Sequence, residues 1–336
     1  MNKQLNLLSV GRFLLVPWLL LSTDQAIAEH AGPGAAFSDP SHTETLPESW
    51  IQQPIKYQDV PANSDLVVTL DQHLYPALLP LIKDFARQRQ LRIAVQEGTC
   101  GISAGALLDK KVDIGGFCCP AGDTDRLPGL QFHTLGIAAL ALITHPNNPI
   151  DNLTLEMARL AFGGGIADWR QTTADDTETL PEIGPVQPVA RLHCKNRPGH
   201  WRLILADEDH FSPVTQEVST IPDMIQRVAG QPGTIGFETL WMTRLHSEHP
   251  VKALHVDGNS PEDIQPLLDG RYPFYRSYNI TTWESEKTRK PLANELVRYF
   301  QSHFESIDPK YGFVSSDKLR KAGWHFKGDE LVAAPY

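Results

Sequence analysis

From residue 66 onward, short apolar runs alternate with stretches whose apolar residues recur at helical spacing. The runs 66–70, 91–95 and 112–116 predict buried strands. In segments 75–87 and 291–303 the apolar residues fall on one side, which predicts two amphipathic helices. Alternation of strand and helix along a chain is typical of an α/β protein.

The alternation continues through the rest of the chain. A long apolar run at 135–144 ends in a turn of sequence His-Pro-Asn-Asn-Pro. Further helices are predicted over 103–110, 155–162, 201–207 and 221–229, and further strands over 189–192, 234–237 and 272–280.

Two loops in the stretch 98–120 each follow a predicted strand directly. In an open α/β sheet, ligands bind outside the carboxyl ends of the strands. The first loop is rich in small residues and leads into a helix, where free backbone N–H groups and the helix dipole favour an anion. Three of the four cysteines, Cys100, Cys118 and Cys119, lie in these loops.

The N-terminus has the pattern of a secretory signal peptide over residues 1–28. A positively charged start precedes a short apolar core at 13–22, and Ala26-Ile27-Ala28 is a small-residue cleavage site. That core is well short of the roughly 20 residues that span a bilayer. We therefore expect an exported, soluble protein in which the polar residues 29–64 form a linker.

Length and charge narrow the class of protein further. The 336 residues are enough for two lobes with a sizeable core. The net charge of −10 argues against a nucleic-acid partner and gives no support to a basic membrane-binding face.

Four segments carry more specific motifs, in a fixed order along the chain. They are Ala-Leu-Leu-Asp-Lys-Lys-Val-Asp-Ile-Gly at 106–115, a long segment at 135–169 that includes Asn-Leu-Thr-Leu-Glu and Ile-Ala-Asp-Trp, Gly-Thr-Ile-Gly-Phe at 233–237, and Tyr-Pro-Phe-Tyr-Arg at 272–276. Together they resemble the phosphate-binding proteins of bacterial ABC importers.

This resemblance implies the α/β, two-lobed type 2 periplasmic binding protein fold with two crossing hinge strands, here 135–144 and 272–280. Lobe 1 would comprise residues 65–145 and 271–336, and lobe 2 residues 146–270. The implied function is capture of a small oxyanion, phosphate or similar, in the cleft between the lobes, for ABC import or sensing. The implied partners are a small anionic ligand and the ABC transporter membrane subunits, and the expected protein is a periplasmic monomer without a cofactor or nucleic acid.

The ligand loops depart from the family pattern, which is rich in Ser, Thr and Gly with a supporting Arg. Asp71 and His73 stand in the first loop, Cys100 replaces a hydroxyl residue in the second, and Cys118-Cys119 occupy the third. In the fourth, Arg191 matches the family's Arg. The candidate ligand-binding residues are Asp71, His73, Thr99, Cys100, Gly101, Ser103, Cys118, Cys119, Arg191, Arg197, Gly199 and His200.

All four cysteines map to these loops, and three interpretations remain open. They form two disulfides, which export favours, or one disulfide and two free thiols, or a reduced set of thiolates. Thiolate and imidazole together suit a soft metal ion or metalloid. The alternative function is therefore a thiol-dependent binding protein or sensor, with Cys100, Cys118, Cys119, Cys194 and His200 as ligands. We see no Ser-His-Asp order, P-loop or H-E-x-x-H motif and expect no enzyme.

Overall fold

The computed structural model describes residues 33–172 and 183–335. The predicted signal peptide lies outside the described residues. The helices are α1 Glu48–Ile51, α2 Tyr75–Arg89, α3 Cys100–Leu108, α4 Leu155–Gly163, α5 Ile221–Ala229, α6 Leu240–Leu245, α7 Ile264–Leu268, α8 Pro291–Ser302 and α9 Ser316–Lys321. The strands are β1 Leu66–Asp71, β2 Ile93–Gly98, β3 Ile114–Phe117, β4 Leu130–Thr144, β5 Asn152–Leu153, β6 Gln187–Ala190, β7 Gln216–Glu217, β8 Thr234–Thr239, β9 Lys252–Ala253, β10 His255–Val256, β11 Tyr275–Trp283, β12 Val314–Ser315, β13 His325–Lys327 and β14 Glu330–Ala333.

A mixed sheet of order β2-β1-β3-β11-β4-β8-β6-β7 forms the centre of the molecule. Strands β1, β2 and β3 are parallel to one another, and β6 is parallel to β7 and β8. This alternation of strands with covering helices is the α/β fold that the pattern predicts, and the fold prediction is confirmed.

Two long antiparallel strands, β4 and β11, join the two sets of parallel strands. The first part of β4 pairs with β11 from Leu130 to Ala139, and its last part pairs with β8 from Leu140 to Thr144. Strand β3 has the same direction as β4, since both are antiparallel to β11, whereas β8 is antiparallel to β4. The carboxyl ends of β3 and β8 therefore face each other across the middle of β4. The predicted crossing strands therefore position a site between the two strand sets.

Two cores of buried side chains flank the crossing strands. The first includes side chains of β1, α2, β3 and α8, and the second includes side chains of β4, α4, β6 and β8. Val314, Leu319 and Trp324 pack in the second core, although they lie in the segment expected to complete lobe 1. The division into lobes at residues 145 and 271 stays a prediction.

Several predicted elements begin or end elsewhere. The strand predicted at 91–95 corresponds to β2. It is half-buried rather than buried because it lies at the edge of the sheet, beside β1. Helix α3 begins at Cys100 because the Thr99 side chain accepts a hydrogen bond from Ile102 N (3.2 Å) and caps it.

The prediction of a helix over 201–207 is wrong. A 3-10 turn at His200–Leu203 covers only the start of that segment, and a second turn, Glu208–His210, begins after it. The Arg202 guanidinium donates to the carbonyls of Arg197 (3.1 Å) and Ala206 (2.7 Å), so side-chain bonds rather than a helical ladder hold this loop.

The segment expected to be a linker lies against the body of the protein. Trp50 Nε1 donates to Leu108 O (2.7 Å), Tyr57 Oη donates to Asp113 Oδ2 (2.5 Å), and Ser38 Oγ donates to Ala121 O (2.6 Å). Across the described ranges, none of the helices is long and apolar enough to cross a bilayer.

Candidate functional site

Strand ends from both strand sets meet at one place, beside the middle of β4. Asp71 ends β1, Thr99 and Cys100 follow β2, Cys118 follows β3, Arg191 follows β6 and Glu238 lies near the end of β8. Arg276 of β11 pairs with Ala138 of β4 and so sits between the facing strand ends. The sheet topology therefore collects charged side chains from distant parts of the chain in one buried region.

His73 is held between two buried carboxylates. Its Nδ1 lies 3.4 Å from Asp71 Oδ2, and its Nε2 lies 3.2 Å from Glu238 Oε1. The backbone N–H of His73 also donates to Asp71 Oδ1 (2.9 Å). Since a carboxylate only accepts, both ring nitrogens must donate, which requires the imidazolium. Burial opposes that charge, but the attraction of Asp71 outweighs it and raises the pKa of His73 well above its ordinary value.

Two arginines face the second carboxylate. Arg191 Nη2 lies 3.6 Å and Arg276 Nη2 lies 3.9 Å from Glu238 Oε2. Burial alone would raise the pKa of Glu238, but the charge of Arg276, with His73 and Arg191, holds that pKa far below its ordinary value. Glu238 is therefore an ionised acceptor shared by three cations.

Several hydrogen-bond donors in this region remain unsatisfied. Among the described residues, Nε and Nη2 of both Arg191 and Arg276 have no hydrogen-bond partner. The same holds for Ser103 Oγ, and all three side chains are buried. Since an unpaired buried polar group costs about 1–3 kcal/mol, and a charged one more, these donors indicate a place for an acceptor from outside the chain.

The N-terminus of α3 contributes to the same region. Thr99 caps the helix, Gly101 is exposed in its first turn, and Ser103 is fully buried one turn into it. The first N–H groups of a helix have no partner within the helix, and the helix dipole adds a partial positive charge there. The anion preference expected for this loop is therefore compatible with its geometry.

The four cysteines come together as free thiols. Cys100 Sγ lies 3.3 Å from Cys118 Sγ and 3.6 Å from Cys119 Sγ. The sulfurs of Cys100, Cys119 and Cys194 all lie within 4.8 Å of one another. The sulfurs are close together but unbonded in this structure, and the three interpretations that the sequence leaves open stay predictions.

The surroundings shift the pKa values of the four thiols in different directions. Hydrogen bonds from Cys100 and Cys119 hold the pKa of both Cys118 and Cys194 well below the usual value. The bond to Cys118 raises the pKa of Cys100, and burial raises that of Cys119. Beside them, the rings of His193 and His200 stack at 5.0 Å, and burial lowers the pKa of His200 to about 4.

The loop that carries Arg197 and Gly199 lies directly on the loop after β3. Arg197 makes two bonds to the Asp125 carboxylate, Nε to Oδ2 (2.7 Å) and Nη2 to Oδ1 (2.5 Å). A Cβ on Gly199 would lie 2.8 Å from Pro120 Cδ, and its φ of 78° also favours glycine. These two residues join the loops, and the Arg197 guanidinium is already paired.

The structure brings ten of the twelve predicted ligand residues close to the strand ends, with Arg197 and Gly199 at the loop contact. Whether they bind a ligand stays a proposal. The sequence analysis selected neither Glu238 nor Arg276 as a candidate ligand-binding residue. Both were detectable as charges at or within apolar strands, Glu238 directly after Thr-Ile-Gly-Phe and Arg276 at the end of Tyr-Pro-Phe-Tyr.

Known proteins share this architecture. A family model described as a PBP superfamily domain matches residues 56–303. A phosphate transport receptor of ABC type from Vibrio cholerae is 17% identical with a TM-score of 0.58, and the match covers 74% of this chain and 99% of that one. A putative phosphate ABC transporter substrate-binding protein from Clostridium perfringens, solved with bound phosphate, is 16% identical with a TM-score of 0.59, over 74% and 98% of the two chains.

PstS from Borrelia burgdorferi is a further similar structure, 17% identical with a TM-score of 0.51 over 75% of this chain and 99% of that one. At these identities the structures establish the fold, whereas the family model spans most of the chain. The chain therefore belongs to the periplasmic binding protein (PBP) superfamily and has its type 2 fold.

Proposed function

We propose that this protein is an exported solute-binding protein that captures a small oxyanion, phosphate or a similar one, between its two lobes in the periplasm. It would then deliver the anion to the membrane subunits of an ABC importer. One observation carries the proposal, namely the unsatisfied, buried donors of Arg191, Arg276 and Ser103 beside the N-terminus of α3. The similar proteins, a phosphate transport receptor from V. cholerae and a putative phosphate transporter substrate-binding protein from C. perfringens, support the same class of ligand.

The strength of such a site follows from its donors. A hydrogen bond to a charged group contributes about 1.5–3 kcal/mol. Three or four of them offset desolvation and support micromolar affinity, about −8 kcal/mol. The donors lie away from solvent, where ionic strength screens them little.

The carboxylate of Glu238 restricts which anions fit. It lies next to both arginine side chains and is ionised, and an ionised carboxylate only accepts hydrogen bonds. Hydrogen phosphate and arsenate carry an O–H that can donate to such an acceptor, whereas sulfate at neutral pH carries none. We therefore expect a preference for phosphate and arsenate over sulfate.

Calorimetric titration of ligand-stripped protein with phosphate, arsenate, sulfate, molybdate and tungstate tests the proposal. We expect phosphate or arsenate to bind at least about tenfold more tightly than sulfate, which is about 1.4 kcal/mol. The substitution Arg191→Gln removes two free donor groups and should weaken binding about a hundredfold or more.

Arg87→Gln is the matched control, because Arg87 is exposed and forms its ion pair with Asp84 (2.7 Å) on the surface of α2. It should bind as the unsubstituted protein does. Absence of heat for all five anions, or equal affinity in the two arginine variants, would refute the proposal.

A further inference from the structure

Three cysteine sulfurs converge from loops that are far apart in the chain. Cys100 begins α3, Cys119 follows β3, and Cys194 follows β6. Their sulfurs all lie within 4.8 Å of one another, with 3.6 Å between Cys100 and Cys119. An ion bound by three sulfurs at about 2.3 Å needs S–S separations of about 3.8–4.0 Å. The three sulfurs are therefore close to the spacing of one shared ion.

The fourth cysteine is placed differently. Cys118 Sγ lies 3.6 Å from Arg276 Nη1, so a guanidinium faces it, and its sulfur groups with Asp71 and Cys100 rather than with Cys194. Cys100, Cys119 and Cys194 form the second group, with Cys100 common to both.

The number of ligands points to a soft ion. Zinc prefers four ligands in a tetrahedron. His200 approaches Cys194, but it does not lie within 4.8 Å of all three sulfurs. Three thiolates without a fourth ligand suit soft, thiophilic ions that accept trigonal or pyramidal sulfur coordination.

We propose that Cys100, Cys119 and Cys194 form a three-sulfur site for a soft, three-coordinate ion, either monovalent copper or trivalent arsenic. Binding involves no electron transfer. With arsenous acid, three thiols and As(OH)₃ give As(SR)₃ and three waters, and with monovalent copper the three thiols release their protons as three Cu–S bonds form. The site adjoins the proposed oxyanion site but uses different side chains, so either can exist without the other.

The position of the site gives it a mechanical consequence. Cys194 belongs to the strand set of β6 and β8, whereas Cys100 and Cys119 belong to the set of β1, β2 and β3. An ion bonded to all three sulfurs ties the two sets together on either side of β4 and β11. Binding therefore favours the arrangement in which the loops touch, as any ligand does that binds one conformation preferentially.

The test uses reduced protein kept under anaerobic conditions. It is titrated with sodium arsenite, and separately with monovalent copper supplied from a competing chelator. We expect one ion per chain by native mass spectrometry, and three sulfur neighbours by X-ray absorption at the copper or arsenic edge. The absorption measurement needs no variant, so it keeps the proposal testable if a substitution prevents folding.

The variants then assign the ligands. Cys194→Ser should weaken ion binding more than about a hundredfold, beyond the 10–100-fold effect of losing an outer-shell partner. Cys118 Sγ contacts the sulfur of Cys100 (3.3 Å) without belonging to the three-sulfur set, so Cys118→Ser should show no more than that outer-shell effect and a smaller loss than Cys194→Ser. Arg191→Gln should bind the ion normally, so a failed oxyanion titration leaves this test intact.

Binding of either ion through three sulfurs supports the proposal, and the tighter of the two identifies the ion. It is overturned if neither ion binds, if fewer than three sulfurs surround the ion, or if zinc binds more tightly than both. Equal losses in Cys118→Ser and Cys194→Ser would also overturn it.

Discussion

His73 shows how one side chain sets the charge of the buried region. Both of its ring nitrogens face carboxylate oxygens, so its folded state favours the imidazolium. In the unfolded chain the same imidazole loses its proton near pH 6.5. The stability that the charged ring contributes is therefore complete below about pH 6.5 and is lost as the pH rises through the raised pKa of the folded state.

We predict that this dependence disappears in His73→Gln. In the unsubstituted protein the stabilising contribution of His73 shrinks as the pH rises through that window. The free energy of unfolding then falls by up to about 1.4 kcal/mol per pH unit. Urea unfolding at a series of pH values measures it as the difference between the two proteins. His255→Gln, at an exposed position in β10, is the control and should keep the dependence. If the free energies of unfolding of His73→Gln and the unsubstituted protein differ by the same amount at every pH, the assignment is contradicted.

The sequence identifies residues of this region only where they lie at or after the end of a predicted strand. Asp71, Cys100 and Cys118 directly follow or end apolar runs, and the rule that ligands lie at the carboxyl ends of strands is enough to select them. Arg276 lies within a strand, and its role depends on β11 running between β3 and β4. No local pattern specifies that order, so the ion pairs with Glu238 could not be predicted.

Helix α3 is the element on which the candidate site depends most. It begins at Cys100 and carries Ser103 on its buried side. The pattern of helix-forming residues predicts the helix but begins it three residues later, because Gly and Cys in the first turn are weak helix formers. The Thr99 cap supplies what propensity does not, and it fixes where the helix and its first free N–H groups begin.

We predict different outcomes for two similar caps. Thr99→Ala removes the hydroxyl that accepts from Ile102 N (3.2 Å), and Thr154→Ala removes the one that accepts from Met157 N (3.1 Å). Each loss of a helix cap should lower the free energy of unfolding by about 1 kcal/mol. Only Thr99→Ala should also weaken oxyanion binding, because α4 lies away from the strand ends. Thermal unfolding and calorimetric titration of both variants measure the two effects. Equal losses of affinity in both would show that general destabilisation, rather than the start of α3, controls binding.

At the scale of the whole molecule, loops of the two strand sets are in contact. The bidentate bond of Arg197 to Asp125 and the packing of Gly199 on Pro120 hold them together, and Cys194 reaches Cys100 and Cys119 across the same boundary. The sequence predicted the crossing strands, but it could not predict how closely these loops approach. Their contact depends on tertiary packing and on the conformation in which the lobes lie.

The most direct test of the central claim is a crystal structure of the protein saturated with the oxyanion that binds most tightly. We predict that the anion lies between the ends of β3 and β8, with oxygens bonded to the Arg191 guanidinium and to N–H groups in the first turn of α3. An anion bound elsewhere, for example in the surface cavity beside Arg126 and His133, with Arg191 still unpaired, would contradict the account.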